Sequence, residues 1–248
     1  MELERAAGML RGTNKIMLFT GAGVSTESGI PDFRGPEGVW TKVDPSEFTL
    51  QRFVASADTR RRSWAMRADS TVIEAKPNPA HLAIARLWQA GRMIGCVTQN
   101  IDGLHRQAGL PDEAIVELHG TALRAGCLDC DNEWPTAEIM TRVSGGDDDP
   151  HCECGGIIKA LTISFGQPMP RHEMERASEM AARCDAALSV GSTLSVYPAA
   201  YIPLEAKERG VPYGIINVGH TDQDHLADFR IEGKAGVVLP GLVEALSA

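Results

Sequence analysis

Short apolar runs recur along the chain, and most of them end in glycine or a polar residue. Each run is five or six residues long, rich in Val, Ile, Leu or Met, and too short for a buried helix, so it predicts a buried β-strand. The five runs are KIMLFT at 15–20, MIGCVT at 93–98, AIVEL at 114–118, DAALSV at 185–190 and PYGIIN at 212–217.

Helical patterns separate these runs. They cover 79–90, 170–183 and 198–209, and Asn78-Pro79 resembles the N-cap and first-turn pair of a helix. Buried strands that alternate with helices are typical of a parallel sheet covered by helices on both faces. We therefore predict an α/β fold, in which ligands collect beyond the carboxyl ends of the strands.

Two segments depart from this alternation. Residues 34–78 contain no strand–helix–strand unit and have a helical pattern over 60–75. Residues 121–158 hold four of the six cysteines and a polar, acidic spacer, SGGDDDP at 144–150, whose three consecutive aspartates we expect to lie in a solvated loop. We predict that 34–78 and 121–158 form a smaller lobe, and that 1–33, 79–120 and 159–248 form the larger domain.

Charge and composition narrow the function classes. The chain has 248 residues, with 24 Lys and Arg against 33 Asp and Glu, a net charge of −9. An acidic surface disfavours direct nucleic-acid binding and suits a basic partner. No run approaches the roughly 18 apolar residues of a membrane span, and the first residues are charged where a signal peptide is apolar. We expect a cytoplasmic protein without a membrane contact.

The clustered cysteines indicate a metal site. Cys127-x-x-Cys130 and Cys152-x-Cys154 offer four thiolates in two tight turns, the ligand set that Zn²⁺ prefers in closed structural sites. We predict one structural Zn²⁺ per chain that stabilises the smaller lobe. The other two cysteines, Cys96 and Cys184, are expected to be core residues.

A glycine-rich turn follows the first predicted strand. Gly21-Ala22-Gly23 suits the approach of a phosphate to backbone N–H groups at a helix N-terminus. The dinucleotide fingerprint needs a third glycine where this chain has Thr26, and no strand with an acidic end follows about 20 residues later. The turn is compatible with phosphate but not with an ordinary dehydrogenase, and a plain strand–helix turn remains open.

Polar residues follow several predicted strands or the first turn. Singly, each is explained as a turn residue or a helix cap, but together they would converge on one crevice. They are Asp32-Phe33-Arg34, Gln99-Asn100-Ile101-Asp102, His119 and Ser192-Thr193.

These motifs occur in the order found in sirtuins, NAD-dependent protein deacylases, which the chain resembles over about residues 13–246. The segments are GAGVSTESGIPDFRGPEGVW at 21–40, TQNIDGLH at 98–105, ELHG at 117–120, the cysteine pairs, GSTLSVYP at 191–198 and IIN at 215–217. The resemblance implies a Rossmann-like nucleotide-binding sheet plus a smaller lobe made of a helical excursion and a zinc-binding module. GVWT at 38–41 and the segment 198–210 lean towards the branch of the human nuclear sirtuins.

The resemblance also implies roles for individual residues. His119 would be the catalytic base, with Asn100 ordering the ribose pocket and Asp102 accepting the nicotinamide amide. NAD, the co-substrate, would be bound by Gly21, Ala22, Gly23, Asp32, Phe33, Arg34, Gln99, Asn100, Ile101, Asp102, Gly191, Ser192, Thr193, Asn217, Val218 and Ala235. An acyl-lysine peptide would bind as an extended strand at Ile163, Phe165, Gly166 and Val196.

The implied reaction is NAD-dependent removal of an acyl group from protein lysine, which releases nicotinamide and O-acyl-ADP-ribose. It needs a ribose hydroxyl deprotonated, and a neutral imidazole has suitable basicity near pH 7. Two alternatives are mono-ADP-ribosyl transfer to a protein and a non-catalytic NAD-sensing module. The presence of His119 and Asn100 disfavours the second alternative.

Three positions depart from the sirtuin pattern. Gln167 stands where glutamate is frequent, and Ala160 follows Lys159 where proline is frequent. Desuccinylating members carry Tyr-x-x-Arg in the helical excursion, whereas this chain has Trp64-x-x-Arg67, so that activity is not expected. The preferred peptide and acyl chain length stay open.

Overall fold

The computed structural model describes residues 2–35, 38–68, 72 and 74–247, and only the backbone of Trp40 and Ser247. Its largest element is a six-stranded parallel sheet in the order β3-β2-β1-β7-β8-β9. Those strands are β1 (Ile16–Thr20), β2 (Met93–Thr98), β3 (Ile115–Glu117), β7 (Ala186–Val190), β8 (Tyr213–Asn217) and β9 (Phe229–Glu232). The predicted α/β fold is confirmed, since all five predicted strands lie in this sheet.

Helices cover both faces of the sheet because the side chains of each strand alternate between two cores. On β1, Ile16 and Leu18 pack in one core, and Met17 and Phe19 pack in the other. The first core is covered by α1 (Glu2–Leu10), α4 (Pro79–Gln89) and α9 (Ala235–Ser247), the second by α7 (Arg171–Arg183) and α8 (Tyr201–Glu208). A further short helix, α5 (Leu104–Gln107), follows β2.

The direction of strand succession reverses beside β1. Strand β1 lies between β2 and β7. From β1 the strand order continues outwards to β2 and β3 on one side and to β7, β8 and β9 on the other. Such a reversal opens a crevice at the carboxyl ends of the two central strands, where doubly wound sheets bind ligands. The larger sheet thus places its binding crevice directly after Thr20 and Val190.

A second, antiparallel sheet has the order β5-β4-β6. Its strands are β4 (Gly120–Cys127), β5 (Glu133–Pro135) and β6 (Ile158–Thr162), and α6 (Thr136–Ser144) follows β5. The 34–78 segment has two helices, α2 (Leu50–Ala55) and α3 (Ala57–Ala68). Helix α2 contacts α3, and α3 joins this module through a small core. That core contains Trp64, Ala125, Ile139, Cys152 and Ile158.

The helical prediction over 60–75 is met by α3 as far as Ala68, and residues 69–71 and 73 lie outside the described part of the chain. The prediction is wrong for Glu74, which lies in a turn, and for Ala75, which has no regular structure. The predicted helix start at Asn78 is confirmed, because its side chain accepts hydrogen bonds from the backbone of Ala80 and His81. Among the described residues, no helix is long and apolar enough to cross a membrane.

The spacer between the cysteine pairs is not wholly solvated, and that expectation is wrong for Asp149. Its carboxylate accepts two hydrogen bonds from the Arg60 guanidinium, at 2.6 and 2.8 Å, and both side chains are largely buried. This pair could not be predicted from a local pattern because its members are 89 positions apart.

Candidate active site

Predicted site residues lie at the carboxyl ends of five neighbouring strands, one after each strand or at its last position. Gly21 follows β1, Gln99 follows β2, His119 follows β3, Gly191 follows β7 and Asn217 ends β8. Because parallel strands end at one edge of the sheet, residues far apart in sequence line the same crevice.

A buried polar cluster connects the end of β2 to the turn after β1. Asn100 Nδ2 donates to Ser25 Oγ at 3.2 Å, and Ser25 Oγ donates to Asp102 Oδ2 at 2.7 Å. Asp102 Oδ1 accepts from the backbone of Leu104. Ser25 was missed in the sequence analysis, although it stands in the same glycine-rich motif. Its hydroxyl fixes the two predicted catalytic side chains relative to each other.

Among the described residues, only one ring nitrogen of His119 has a hydrogen-bond partner. Its Nδ1 lies 3.0 Å from the carbonyl oxygen of Gln99, so in the neutral ring Nδ1 carries the proton and Nε2 the free lone pair. Burial and the positive charge of Arg34 lower the pKa of His119, against an opposing effect of the Gln99 carbonyl. The ring is therefore neutral at pH 7 and able to accept a proton at Nε2.

The glycines of the first turn are required by packing. Gly23 N donates to Gly191 O at 2.8 Å, and a Cβ at Gly23 would lie 2.8 Å from Gly191 Cα. A Cβ at Gly21 would lie 2.7 Å from Gly191 O. The turns after β1 and β7 are therefore in contact here, and this contact requires both glycines independently of a phosphate. The turn after β7 also contacts the segment after β2, where Gln99 Nε2 donates to Ser192 Oγ at 2.8 Å.

The remaining predicted cofactor residues extend along the sheet edge. Asn217 Nδ2 donates to the carbonyls of Val218 and Gly219, and Val218 itself is exposed. Thr193 Oγ1 lies 2.8 Å from Ser195 Oγ. Ala235, at the start of α9, is buried.

Next to Ala235, the N-terminus of α9 is tied to the glycine-rich segment by a contact that sequence analysis missed. Gly236 N donates to Glu27 Oε2 at 2.7 Å.

The segment 32–35 borders the crevice as a separate loop. Asp32 Oδ1 accepts from Gly35 N, whereas Phe33 and Arg34 are exposed.

The last predicted cofactor residue, Ile101, is held through its backbone. Its carbonyl oxygen accepts a hydrogen bond from Ala122 N.

The predicted peptide-binding residues lie on two loops. Ile163 N donates to His119 O at 2.9 Å, which brings this loop against the candidate base. Phe165 is paired through its backbone with Phe48 and Leu50, and the residue is 42% exposed. Gly166 has a φ of +76°, and Val196 lies on the second loop, where its carbonyl accepts from Ala200 N.

At one position that departs from the sirtuin pattern, Gln167 Oε1 accepts from Ser164 N and closes the first peptide loop on itself.

The four clustered cysteines form a candidate metal centre. Their sulfur atoms all lie within 4.8 Å of one another, with pairs at 3.5, 3.6 and 3.7 Å. A tetrahedron of thiolates about 2.3 Å from Zn²⁺ has sulfur–sulfur edges of about 3.8 Å, so the geometry fits zinc. The ligands are Cys127, Cys130, Cys152 and Cys154.

Known proteins are similar to this chain in sequence and in architecture. The model of the Sir2 family matches residues 21–198. The chain is 39% identical, over 96% of its length and 100% of the relative, to NAD-dependent protein deacetylase 2 of Streptomyces coelicolor.

Solved structures agree. One concerned with the mechanism and regulation of Sir2 enzymes is 40% identical, with a TM-score of 0.91 and coverage of 99% of this chain and 98% of that one. Another, a Sir2 enzyme variant with deacetylated p53 peptide and 3'-O-acetyl ADP-ribose, is 30% identical, with a TM-score of 0.92 and 98% coverage of both chains. The chain belongs to the Sir2 family, the sirtuins.

Proposed function

We propose that this protein removes acyl groups from protein lysine side chains at the expense of NAD, with release of nicotinamide and O-acyl-ADP-ribose. The observation that carries the proposal is the neutral His119, with Nε2 free, at the same strand edge as the Asn100–Ser25–Asp102 cluster. The names of the relatives agree with this activity.

The predicted cofactor residues fall into groups along the crevice, and each group suits a different part of NAD. The turn at 21–23 would hold the pyrophosphate, and Asn217 and Ala235 would contact the adenosine end. Asn100 and Asp102 would hold the nicotinamide and its ribose, since the buried cluster offers amide and carboxylate groups there. Asp32, Phe33 and Arg34 would close over this end, because their loop borders His119.

His119 would act after the bond between nicotinamide and ribose has broken. That cleavage leaves an electron-poor ribose carbon, which the acyl oxygen of the bound lysine attacks. His119 Nε2 then takes the proton of a ribose hydroxyl, so that this oxygen can attack the acyl carbon. The bond from the acyl carbon to the lysine nitrogen then breaks, lysine leaves as the free amine, and a water molecule adds to the acyl carbon to give O-acyl-ADP-ribose. Ile163 holds the backbone of His119 from the peptide side.

The zinc centre would act structurally, because four thiolates complete its shell and leave no position for substrate. The division into a nucleotide-binding domain and a smaller lobe at 34–78 and 121–158 is part of the same proposal. So is a cytoplasmic location, since a centre of four thiolates suits a compartment that keeps cysteines reduced.

A comparison of His119→Ala with the parent tests the proposal. The parent should deacetylate an acetyl-lysine peptide only when NAD is present. His119→Ala should fold, bind NAD by calorimetry and lose about 10²–10⁴-fold in turnover, the usual effect of a positioned acid–base group. The matched control is His172→Ala, an exposed histidine on α7 that should keep parental turnover.

Near-parental deacetylation by a folded His119→Ala variant would remove this residue from the mechanism. Transfer of ADP-ribose to protein or peptide, with the acetyl group retained, would favour the transferase instead.

A further inference from the structure

The end of β8 presents a buried amide whose orientation is fixed by its neighbours. Asn217 is 7% exposed, and its Nδ2 donates to Val218 O at 2.9 Å and to Gly219 O at 3.0 Å. Both neighbours are carbonyl oxygens, which only accept, so the amide nitrogen must face them and both of its protons are used. Among the described residues, no group donates to Asn217 Oδ1, and this oxygen is not sealed from solvent. The side chain therefore offers a ligand only an acceptor.

A carboxylate stands beside this amide on the neighbouring strand. Glu232 is the register partner of Asn217, and each is the last residue of its strand. Glu232 Oε1 accepts from Gly219 N at 2.8 Å, so the loop after β8 is held by Asn217 through its carbonyls and by Glu232 through its amide. The hydrogen bond from Gly219 and the Arg230 guanidinium lower the pKa of Glu232, which is an anion at pH 7.

The nearby guanidinium is already bound to carboxylates. Arg230 Nε donates to Asp224 Oδ1 at 3.1 Å, and Arg230 Nη2 donates to Glu232 Oε2 at 2.5 Å and to Gly219 O at 2.6 Å. One positive charge is therefore shared between two negative charges. Lys234, the cation that follows β9, is exposed, so solvent and salt screen its charge.

The start of α9 also holds a carboxylate, although the N–H groups of a helix N-terminus attract phosphates. Gly236 N donates to Glu27 Oε2 at 2.7 Å. A Cβ at Gly236 would lie 2.6 Å from the same oxygen, so the carboxylate packs directly on the backbone. An anion already occupies this helix end.

We propose that the edge formed by the end of β8, the end of β9 and the start of α9 selects NAD over NADP, with Glu232 as the residue that excludes the 2′-phosphate. Asn217 Oδ1 accepts from a hydroxyl of the adenosine ribose, which is a donor. A phosphate on that ribose brings acceptors and negative charge to groups that are themselves acceptors or anions, and like charges placed together are strongly unfavourable. The inference rests on the proposed function, which places the adenosine end of NAD at Asn217 and Ala235.

Binding of two ligands that differ only in this phosphate tests the selection. Calorimetry should show that ADP-ribose 2′-phosphate binds the parent at least about 100-fold more weakly than ADP-ribose. Glu232→Gln keeps an oxygen that accepts from Gly219 N but removes the charge and leaves Arg230 less neutralised. It should strengthen binding of the 2′-phosphate at least about fivefold, the effect of one charge at a partly exposed site. Its affinity for ADP-ribose should stay within about twofold of the parent.

The matched control is Glu208→Gln, which removes the same charge from an exposed position in the last turn of α8, shortly before β8 begins. It should change neither affinity. Equal binding of the two ligands by the parent would overturn the proposal, and so would an unchanged 2′-phosphate affinity in Glu232→Gln. An equal loss of both ligands in Glu232→Gln would also overturn it, because Glu232 would then only hold the loop.

Turnover with NAD and with NADP separates this inference from the proposed function. The parent should deacetylate an acetyl-lysine peptide with a kcat/KM for NAD at least about 100-fold above that for NADP. Similar values for both would overturn the selection and leave the proposed function intact. A parent that discriminates between the two ligands in calorimetry but deacetylates with neither NAD nor NADP would refute the proposed function and leave the selection intact.

Discussion

Burial sets the protonation state of the histidines around the crevice. His81, His105 and His119 all have pKa values lowered mainly by burial. The same physical effect therefore keeps the candidate base neutral at the crevice and keeps two further rings neutral in the protein interior.

The lowered pKa values predict how stability depends on pH. A histidine that is neutral when folded takes up its proton on unfolding, so its contribution is complete above the unfolded pKa of about 6.5 and is lost as the pH falls. For His81 and His105 this loss extends to about pH 4 and 3. Each should reduce the free energy of unfolding by about 1.4 kcal/mol per pH unit between pH 6 and 4. His119 adds in the same direction, and the negative charge of Asp102 opposes the shift at His81.

Denaturant unfolding between pH 7 and 4.5 measures this slope. His105→Phe should unfold with a slope shallower by about 1.4 kcal/mol per pH unit, whereas the exposed His172→Ala should keep the parental slope. An unchanged slope in His105→Phe would show that the ring is not neutral by burial.

Individual site residues were predictable where a motif surrounds them. Gln99, Asn100, Asp102 and His119 each follow an apolar strand and could be placed at one edge. Ser25 was not found, because it lies within a turn that explains it locally. Its hydrogen bonds run to Asn100 and Asp102, 75 and 77 positions away, and no local pattern contains such partners.

At the scale of elements, the helical segment and the zinc module depend on each other. Trp64 of α3 packs against Ile139 and Cys152 of the zinc module. The pair of Arg60 and Asp149 adds a largely buried ion pair between them. Arg60 also donates to the carbonyl oxygens of Phe53 and Val54, which hold the guanidinium in place. Removal of Asp149 therefore leaves the positive charge of Arg60 largely buried and without a counter-ion.

Two neighbouring aspartates separate this effect from surface charge. Asp149→Ala should lower the free energy of unfolding by about 3 kcal/mol, as expected for breaking a buried pair. Asp148→Ala, which breaks a pair of exposed side chains with Arg61, should lower it by less than about 1 kcal/mol. The parent should hold one zinc per chain, and a chromogenic chelator should remove it faster from Asp149→Ala than from Asp148→Ala. Equal effects of the two substitutions would refute a structural role for the buried pair.

At the scale of the whole molecule, the alternation of strands and helices predicted the large sheet but not its edge strand β9, which pairs with β8. Strand β9 was missed because it has four residues and alternates apolar with charged ones. The small antiparallel sheet was missed because its strands lie among cysteine loops, and β6 crosses the predicted boundary at 159. The branch within the sirtuins and the lobe boundaries remain predictions.

The central claim is that one crevice couples NAD cleavage to lysine deacylation. Its most direct test is the stoichiometry of products from the parent protein with NAD and an acetyl-lysine peptide, quantified by liquid chromatography and mass spectrometry. Nicotinamide, deacetylated peptide and O-acetyl-ADP-ribose should form in equal amounts, because each cleavage is followed by attack of the acyl oxygen in the same pocket. Nicotinamide released without deacetylation, or a peptide that gains ADP-ribose and keeps its acetyl group, would contradict the account.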